Sequence, residues 1–354
     1  MKFIHLSNVN LGAEPIRSDH LTVNRAEDAA NDFYSVLRTC QEDDIDALFI
    51  TGTLFVKPPT EEELRDLDDR FLRLSDTRVF YAPGVFPGGG DNSVYTNYEW
   101  RSNTHVFSGE SIQRIHVSRF SVEVTGVGYS ARSWHKVKPS GLVRGRKGAI
   151  QVLLLPFSGE AADSGSPEEL KALPFDYIGA GQTHSYLSEN GNRVYAPGSF
   201  TSAGFDDTDR HGYIVGNLED DGRKRAALSC QFISGRCKEY LEIRVNAHNE
   251  ILYQEVEDQV RAAMEDYGMD NVYRIRISGD SSPSLYIMKD SLYQLGNVLE
   301  IVDETDTDAV KKLLTGGRDE KAITRFVDAV LSEEDVSVKQ KAIQYGIDAL
   351  LSEE

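Results

Sequence analysis

Glycines and polar residues gather in five short blocks, each at the end of an apolar run: SNVNLG from Ser7, TGTLF from Thr51, PGVFPGGG from Pro83, LLLPF from Leu153 and GAGQTHS from Gly179. Hydrolytic chemistry on a phosphate with divalent metals needs carboxylates and imidazoles as ligands. These blocks supply one such group, His184. Asn8, Asn10 and Gln182 offer neutral amide oxygens, which can touch a hard cation without offsetting its charge. Val85, Phe86, Pro87 and Pro156 offer no side-chain donor at all. The run PGGGDNS, Pro87 to Ser93, could turn the backbone N–H groups of Gly88, Gly89 and Gly90 toward an anion, although glycine-rich loops more often simply turn.

The remaining histidines, His5, His20, His105, His116, His135, His211 and His248, are scattered along the chain. His5 falls inside the first strand and reads as a packed or hydrogen-bonded core residue. His211, in DRHGY, follows Asp206, Asp207 and Asp209; an acidic solvated loop is the simpler reading there, a new metal site the alternative. His184 reads as a structural remnant hydrogen-bonded in its loop. Ser199, in GSFTSAG, has hydroxyl neighbours but no evident base. Nucleophile-elbow, zincin and P-loop motifs are absent.

The elements that must position these blocks alternate strand and helix in the first half. KFIHL, DALFITG and RVFYAPG are apolar strands. Between them, Ala26 to Cys40 places Ala29, Phe33, Val36, Leu37 and Cys40 on one helical face. A second helix opens with the capping box Thr60 and Glu63 and carries Leu64, Leu67, Phe71 and Leu74 at helical spacing. This order predicts a largely parallel sheet with crossover helices. From about Arg114 strands dominate, and EDDGR at Glu219 to Arg223 signals a hairpin before AALSCQFI. Two sheets packed face to face, with helices outside, follow from that pattern. After Cys237, YLEIRVN, an amphipathic helix over Glu250 to Tyr267, and the segments VYRIRISG, SLYIMKD and NVLEIVDE complete a small α/β unit with a short helix around Ser291. Thr307 to Leu351 reads as three short amphipathic helices.

In α/β architectures the carboxyl ends of the strands are where sites form, and the order of the five blocks resembles the calcineurin-like metallophosphoesterases. It resembles more narrowly the SbcD-type DNA-repair exonuclease subunit. MKFIHLSNVNLG, DALFITGTLF, YAPG, DYIGAGQTHS and VYAPGSF carry the resemblance over roughly residues 1 to 236, with HGYIVGNL fitting the next strand. It implies a four-layer α/β/β/α sandwich over 1–236, a small α/β cap over 237–304 and a C-terminal helical region over 305–354. It also implies a two-metal site, usually of manganese, and here nearly every position departs from the family pattern. Asn8 and Asn10 stand for Asp and His, Thr53 for the bridging Asp, and Val85 for the Asn ligand. Phe86 stands for the catalytic His, Pro87 for the following Asp, Pro156 for a lone His and Gln182 for a His; only His184 is retained. No catalytic residue and no metal cofactor is therefore expected, and the chain looks like a pseudoenzyme. The alternative is an active phosphoesterase or exonuclease on a remodelled site, with Mn²⁺ or Mg²⁺ held by His184, Asn8, Asn10 and Gln182. A third possibility is a small-anion or nucleotide sensor in the vestigial pocket.

Composition bounds the partners. The 354 residues carry a formal charge of −19, with 40% hydrophobic and 27% charged residues, as in ordinary globular proteins of more than one domain. Tight DNA binding by this chain alone is disfavoured, because phosphate neutralisation normally supplies most of that affinity. The small basic runs, Lys136 to Lys147 and Arg223 to Arg225, read as solvated loops. By the resemblance, an SbcC-type coiled-coil ATPase is the expected partner, docked through the C-terminal helices with the stripes Ile323, Phe326, Val327, Val330 and Ile343, Tyr345, Ile347, Leu350, Leu351. A homodimer through the phosphoesterase domain is a further expectation. No signal peptide is evident, no apolar run approaches the roughly 18 residues of a membrane span, and Cys40, Cys230 and Cys237 lack metal-like spacing, so a reduced cytoplasmic compartment is expected.

Overall fold

The computed structural model describes residues 1–74, 76–87, 92–101, 103–109, 111–129, 142–156, 167–181, 186–188, 193–222 and 225–307, with scattered positions between 325 and 346. They form two compact units, Met1–Pro15 with Asn24–Cys237, and Ile16–Val23 with Lys238–Glu354.

The first unit is built on two six-stranded sheets. In one, β1 (Lys2–Ser7), β4 (Ala47–Gly52), β5 (Arg78–Pro83) and β6 (Thr104–Val106) run parallel. Beyond β1, that sheet is extended by antiparallel β13 (Gly212–Glu219) and β14 (Ala227–Ser234). In the other, β8 (Val122–Gly126), β9 (Ile150–Leu155), β10 (Tyr177–Ala180) and β12 (Val194–Ala196) run parallel between antiparallel edges β7 (Gln113–Val117) and β11 (Leu187–Ser188).

Strand periodicity decides which side chains meet. Phe3 of β1, Phe49 of β4 and Phe80 of β5 point between the sheets, where they meet Val124, Val152, Leu154 and Tyr177. Ile4, Leu6, Leu48 and Ile50 point the other way, against α1 (Arg25–Glu42) and α2 (Glu61–Leu72). Burying one large apolar side chain contributes about 1.5–3 kcal/mol, so a shift of one residue in register would exchange two cores at once. α1 buries Ala29, Phe33, Val36, Leu37 and Cys40, the face its sequence predicts. The expected capping box starts α2, with Thr60 Oγ1 accepting from the Glu63 amide at 3.2 Å and Glu63 accepting from the Thr60 amide at 2.7 Å. On the outer face of the second sheet, Leu153, Leu155 and Ile178 pack with Leu170 of α4 (Pro167–Ala172). A short α3 (Ser93–Asn97) follows β5. The order helix, sheet, sheet, helix is thus the expected mixed α/β sandwich.

The second unit has three parallel strands, β15 (Tyr240–Ala247), β16 (Val272–Asp280) and β17 (Val298–Asp306). They pack on α5 (Tyr253–Tyr267) and α6 (Pro283–Met288) through Val256, Val260, Met264, Leu285 and Met288. The ribbon β2 (Ile16–Arg17) and β3 (Thr22–Val23) belongs to this unit, where His20 stacks on Tyr293 with ring centroids 3.6 Å apart.

Three readings of the sequence change in detail. SLYIMKD is helical: Ser282 caps it by accepting from the Leu285 amide at 3.2 Å, and Pro283 sits in its first turn. Ile251 is buried just ahead of α5, which starts at Tyr253. The last strand continues to Asp306, past the expected start of the helical region. Of the tail's apolar stripe, Phe326 and Val330 pack into this unit's own core, while Tyr345 is 72% exposed; Ile323, Val327, Ile343, Ile347, Leu350 and Leu351 lie outside the described residues.

Candidate functional site

The carboxyl ends of β1, β4, β5, β9 and β10 deliver the five polar blocks. Three hydrogen bonds extend the β1–β4 pairing into the loops: Asn8 N to Thr51 O at 3.2 Å, Asn10 N to Thr53 O at 3.3 Å and Leu11 N to Leu54 O at 2.8 Å. Val9 and Leu11 are buried in the helix-side core. On either side of Val9 the backbone turns left-handed, at Asn8, φ 48°, and at Asn10, φ 59°. Outside glycine, asparagine is among the few residues that adopt this conformation readily.

The Asn8 side chain is occupied. Its Oδ1 accepts a hydrogen bond from the Thr53 amide at 3.1 Å, and Thr53 Oγ1 in turn donates to the Val85 carbonyl at 2.9 Å. Three loops are stitched together by this line. The first two strand ends are further tied to the third, where the Gly84 amide donates to Gly52 O at 2.9 Å and the Tyr81 hydroxyl to the same oxygen at 3.2 Å. Gly181, after β10, comes so close that an added Cβ would lie 2.5 Å from Gly52 N and 2.9 Å from Pro156 O. The structure therefore gathers Asn8, Asn10, Thr53, Val85 and Pro156 at one sheet edge.

Phe86 is drawn away from that edge. It is buried against Tyr95, rings near-parallel with centroids 5.7 Å apart, in the core beneath the helices. Val85 packs toward the outer core of the second sheet, and Pro87 is exposed. Asn92, from the glycine-rich run, is buried and spends its amide donors on the carbonyls of Gly84, at 2.6 Å, and Tyr129, at 3.3 Å. Gly88, Gly89, Gly90, Gln182 and His184 lie outside the described residues.

A pair of divalent cations does not fit the donors that are described. Asn8 Oδ1 and the Thr53 hydroxyl are committed to loop-to-loop bonds, and Phe86 is sealed in an apolar core. Among the described residues no group of three or more His, Cys, Asp or Glu side chains could hold a metal ion.

His5 and His211 are both structural in their contacts. His5 is fully buried between the sheets, its Nδ1 2.7 Å from the Tyr177 hydroxyl and its Nε2 2.9 Å from Thr51 Oγ1. One nitrogen donates and the other accepts. Desolvation lowers its pKa to about 3, so it stands neutral. Gly179 makes room for the ring, since a Cβ there would lie 2.9 Å from His5 Cε1. His211 is buried with Nδ1 3.1 Å from the Ser199 carbonyl and Nε2 3.5 Å from Asp207 Oδ1. Asp206 and Asp209 are exposed. Gly181, Asn92 and the Tyr177 partner of His5 were not legible as site residues, because each acts through a contact between distant segments.

No family model and no curated protein matches the sequence. Among solved structures, the chain is similar to TT1561 of Thermus thermophilus, at 12% identity over 64% of this chain and 97% of that one, with a TM-score of 0.34. It is similar to vacuolar protein sorting 29 of Cryptosporidium parvum, at 13% identity over 66% and 97% of the two chains, with a TM-score of 0.27. The Entamoeba histolytica Vps29, solved with Zn²⁺, matches at 14% identity over 66% and 99%, again with a TM-score of 0.27. Likeness at this level is one of chain path alone, and the sandwich described above stands on its own hydrogen-bonded register.

Proposed function

We propose that this chain is a non-catalytic relative of the SbcD-type metallophosphoesterases that acts by binding, as a scaffold subunit of a DNA-repair or DNA-processing complex with an SbcC-type coiled-coil ATPase. Support for the loss of hydrolysis comes from one observation above all. The position of the bridging carboxylate is Thr53, whose amide and hydroxyl are both consumed in the line from Asn8 to Val85. A hydroxyl that donates to a carbonyl cannot offset two doubly charged ions, and dehydrating such ions without carboxylates is costly. The burial of Phe86 against Tyr95 removes the general-acid position as well. Support for a partner comes from the sequence resemblance together with the exposed Tyr345.

Manganese loading followed by gel filtration and elemental analysis, paired with a phosphodiesterase assay on bis(p-nitrophenyl) phosphate, tests the first part. The expected result is far less than one ion per chain and no turnover above free metal. Near-stoichiometric manganese with turnover lost in His184→Ala would instead establish a remodelled enzyme. Co-purification with a coiled-coil ATPase tests the second part; a chain that stays alone when the two are co-expressed removes the scaffold role.

A further inference from the structure

β14 lies at the open end of the first sheet, bonded to β13 and to no other strand among the described residues. The bond from Gly235 N to His211 O, at 2.9 Å, fixes which way its backbone groups face. In the antiparallel register that pairs Gly212 with Ser234, the amides and carbonyls of Ala227, Ser229, Gln231 and Ile233 turn to β13. Those of Leu228, Cys230, Phe232 and Ser234 turn outward. Among the described residues no hydrogen bond reaches the backbone groups of these four.

An open edge invites pairing with another chain, and proteins normally blunt it by shortness, charge, proline or a bulge. The other sheet edges among the described residues follow that rule. β6 has three residues, and β2, β3 and β11 have two each. β7 carries Arg114, β15 carries Glu242 and Arg244, and β17 carries Glu300 and Glu304. β14 has none of these devices. Its eight residues, ALSCQFIS, include no charge, proline or glycine, and all eight pair with β13 without a register shift. Its inner face anchors it: Leu228 and Cys230 pack between the two sheets, and Phe232 lies against Tyr186 with ring centroids 4.6 Å apart. Ser229 and Gln231 alternate onto the other face, where both are exposed.

We propose that β14 pairs antiparallel with β14 of a second copy of this chain, across a two-fold axis at Gln231, joining two sheets into one. This register uses every outward group of the strand: Leu228 pairs with Ser234 of the other copy, and Cys230 with Phe232, each pair occurring twice. An axis at Cys230 would leave Ser234 outside the ladder. The residue on the axis meets its own copy, and glutamine suits that place, because the amide of each can donate to the carbonyl of the other. A charged residue there would repel itself. This self-complementarity selects a second copy over an unrelated peptide, which would need pockets for its alternate side chains. The strand adds nothing to the −19 carried by each copy. Repulsion between the copies is screened beyond about 8 Å at physiological ionic strength, so association tightens as salt is added. The pairing involves the strand edge alone and does not rest on the proposed scaffold role.

Sedimentation equilibrium of the full chain, purified alone, tests the pairing. A reversible equilibrium between 39.5 kDa and twice that mass is expected, with a dissociation constant that falls as salt rises. Ser234→Pro removes an outward amide that β13 does not use, so the monomer keeps its own ladder. In the dimer it deletes one hydrogen bond from each Leu228–Ser234 pair and crowds the partner strand. The dimer should weaken at least about tenfold, with unchanged near-ultraviolet circular dichroism. Cross-linking reads the register. The two Cα atoms at position 231 should lie about 4.5 Å apart as a non-hydrogen-bonded pair, within disulfide reach, so Gln231→Cys should give a covalent dimer on oxidation with diamide. Ser229→Cys should not, because its two copies are offset by roughly 14 Å along the strands. A chain that is monomeric at every concentration, a dimer indifferent to Ser234→Pro, a dimer that dissociates as salt is added, or cross-linking of Ser229→Cys as complete as that of Gln231→Cys would each overturn the assignment.

Discussion

His5 and Asn8 are each committed to structural hydrogen bonds, and both make measurable predictions. Because burial lowers the His5 pKa to about 3 while the unfolded value is about 6.5, the unfolded chain takes up the proton first as pH falls. Stability is therefore intact above about pH 6.5 and falls by about 1.4 kcal/mol per pH unit from there down toward pH 3. Urea midpoints at pH 7.5 and 5.0 should show it: His5→Gln, which cannot titrate, should lose about 2 kcal/mol less than the wild type over that interval. A loss equal in both proteins would mean that the ring is protonated in place. For Asn8, replacement by alanine strands the Thr53 amide and puts a Cβ at a left-handed φ without the local hydrogen bond that asparagine brings. We expect a cost of about 2–3 kcal/mol. Asn8→Gly should cost about 1 kcal/mol less, since glycine removes the backbone penalty but not the stranded amide.

Among the elements, the strand ends at the candidate site are held by close approach of backbone to backbone. Gly181→Ala places a methyl within 2.5 Å of Gly52 N, with no flexible side chain to yield. It should therefore destabilise the first unit by about 2–3 kcal/mol, near the upper end of overpacking penalties, read as a lowered denaturant midpoint with an unchanged slope. A neutral outcome would show that the loops after β4 and β10 move apart easily. Gly179 beside His5 follows the same logic against a ring rather than a backbone. Helices are the most readable elements, because α1 and α2 declare themselves by an apolar face and, for α2, by a capping box that the structure realises in both directions. SLYIMKD is ambiguous in sequence, as a short apolar run fits strand and helix equally; the Ser282 cap decides it.

For the molecule as a whole, the division into two units runs across the chain order. Residues 16–23 leave the first unit and join the second, where exposed His20 stacks on Tyr293. A stacked pair of this kind contributes about 1 kcal/mol, so His20→Ala should raise the population of the open ribbon about fivefold. Limited trypsin digestion reads this as faster cleavage after Arg17 at an unchanged global melting temperature. Cleavage at the wild-type rate would show that Ile16 and Val23, not the ring stack, hold the ribbon. The same scale governs charge: −19 over the chain predicts little affinity for polyanions.

By itself the sequence determined most of the strands and helices and that two sheets face each other. Those are properties of residue type and spacing, and local chemistry fixes them. Only the tertiary structure decided that Asn8, Thr53 and Val85 bond to one another and that Phe86 turns into the core. Each of these depends on contacts between residues tens of positions apart, which no periodicity encodes.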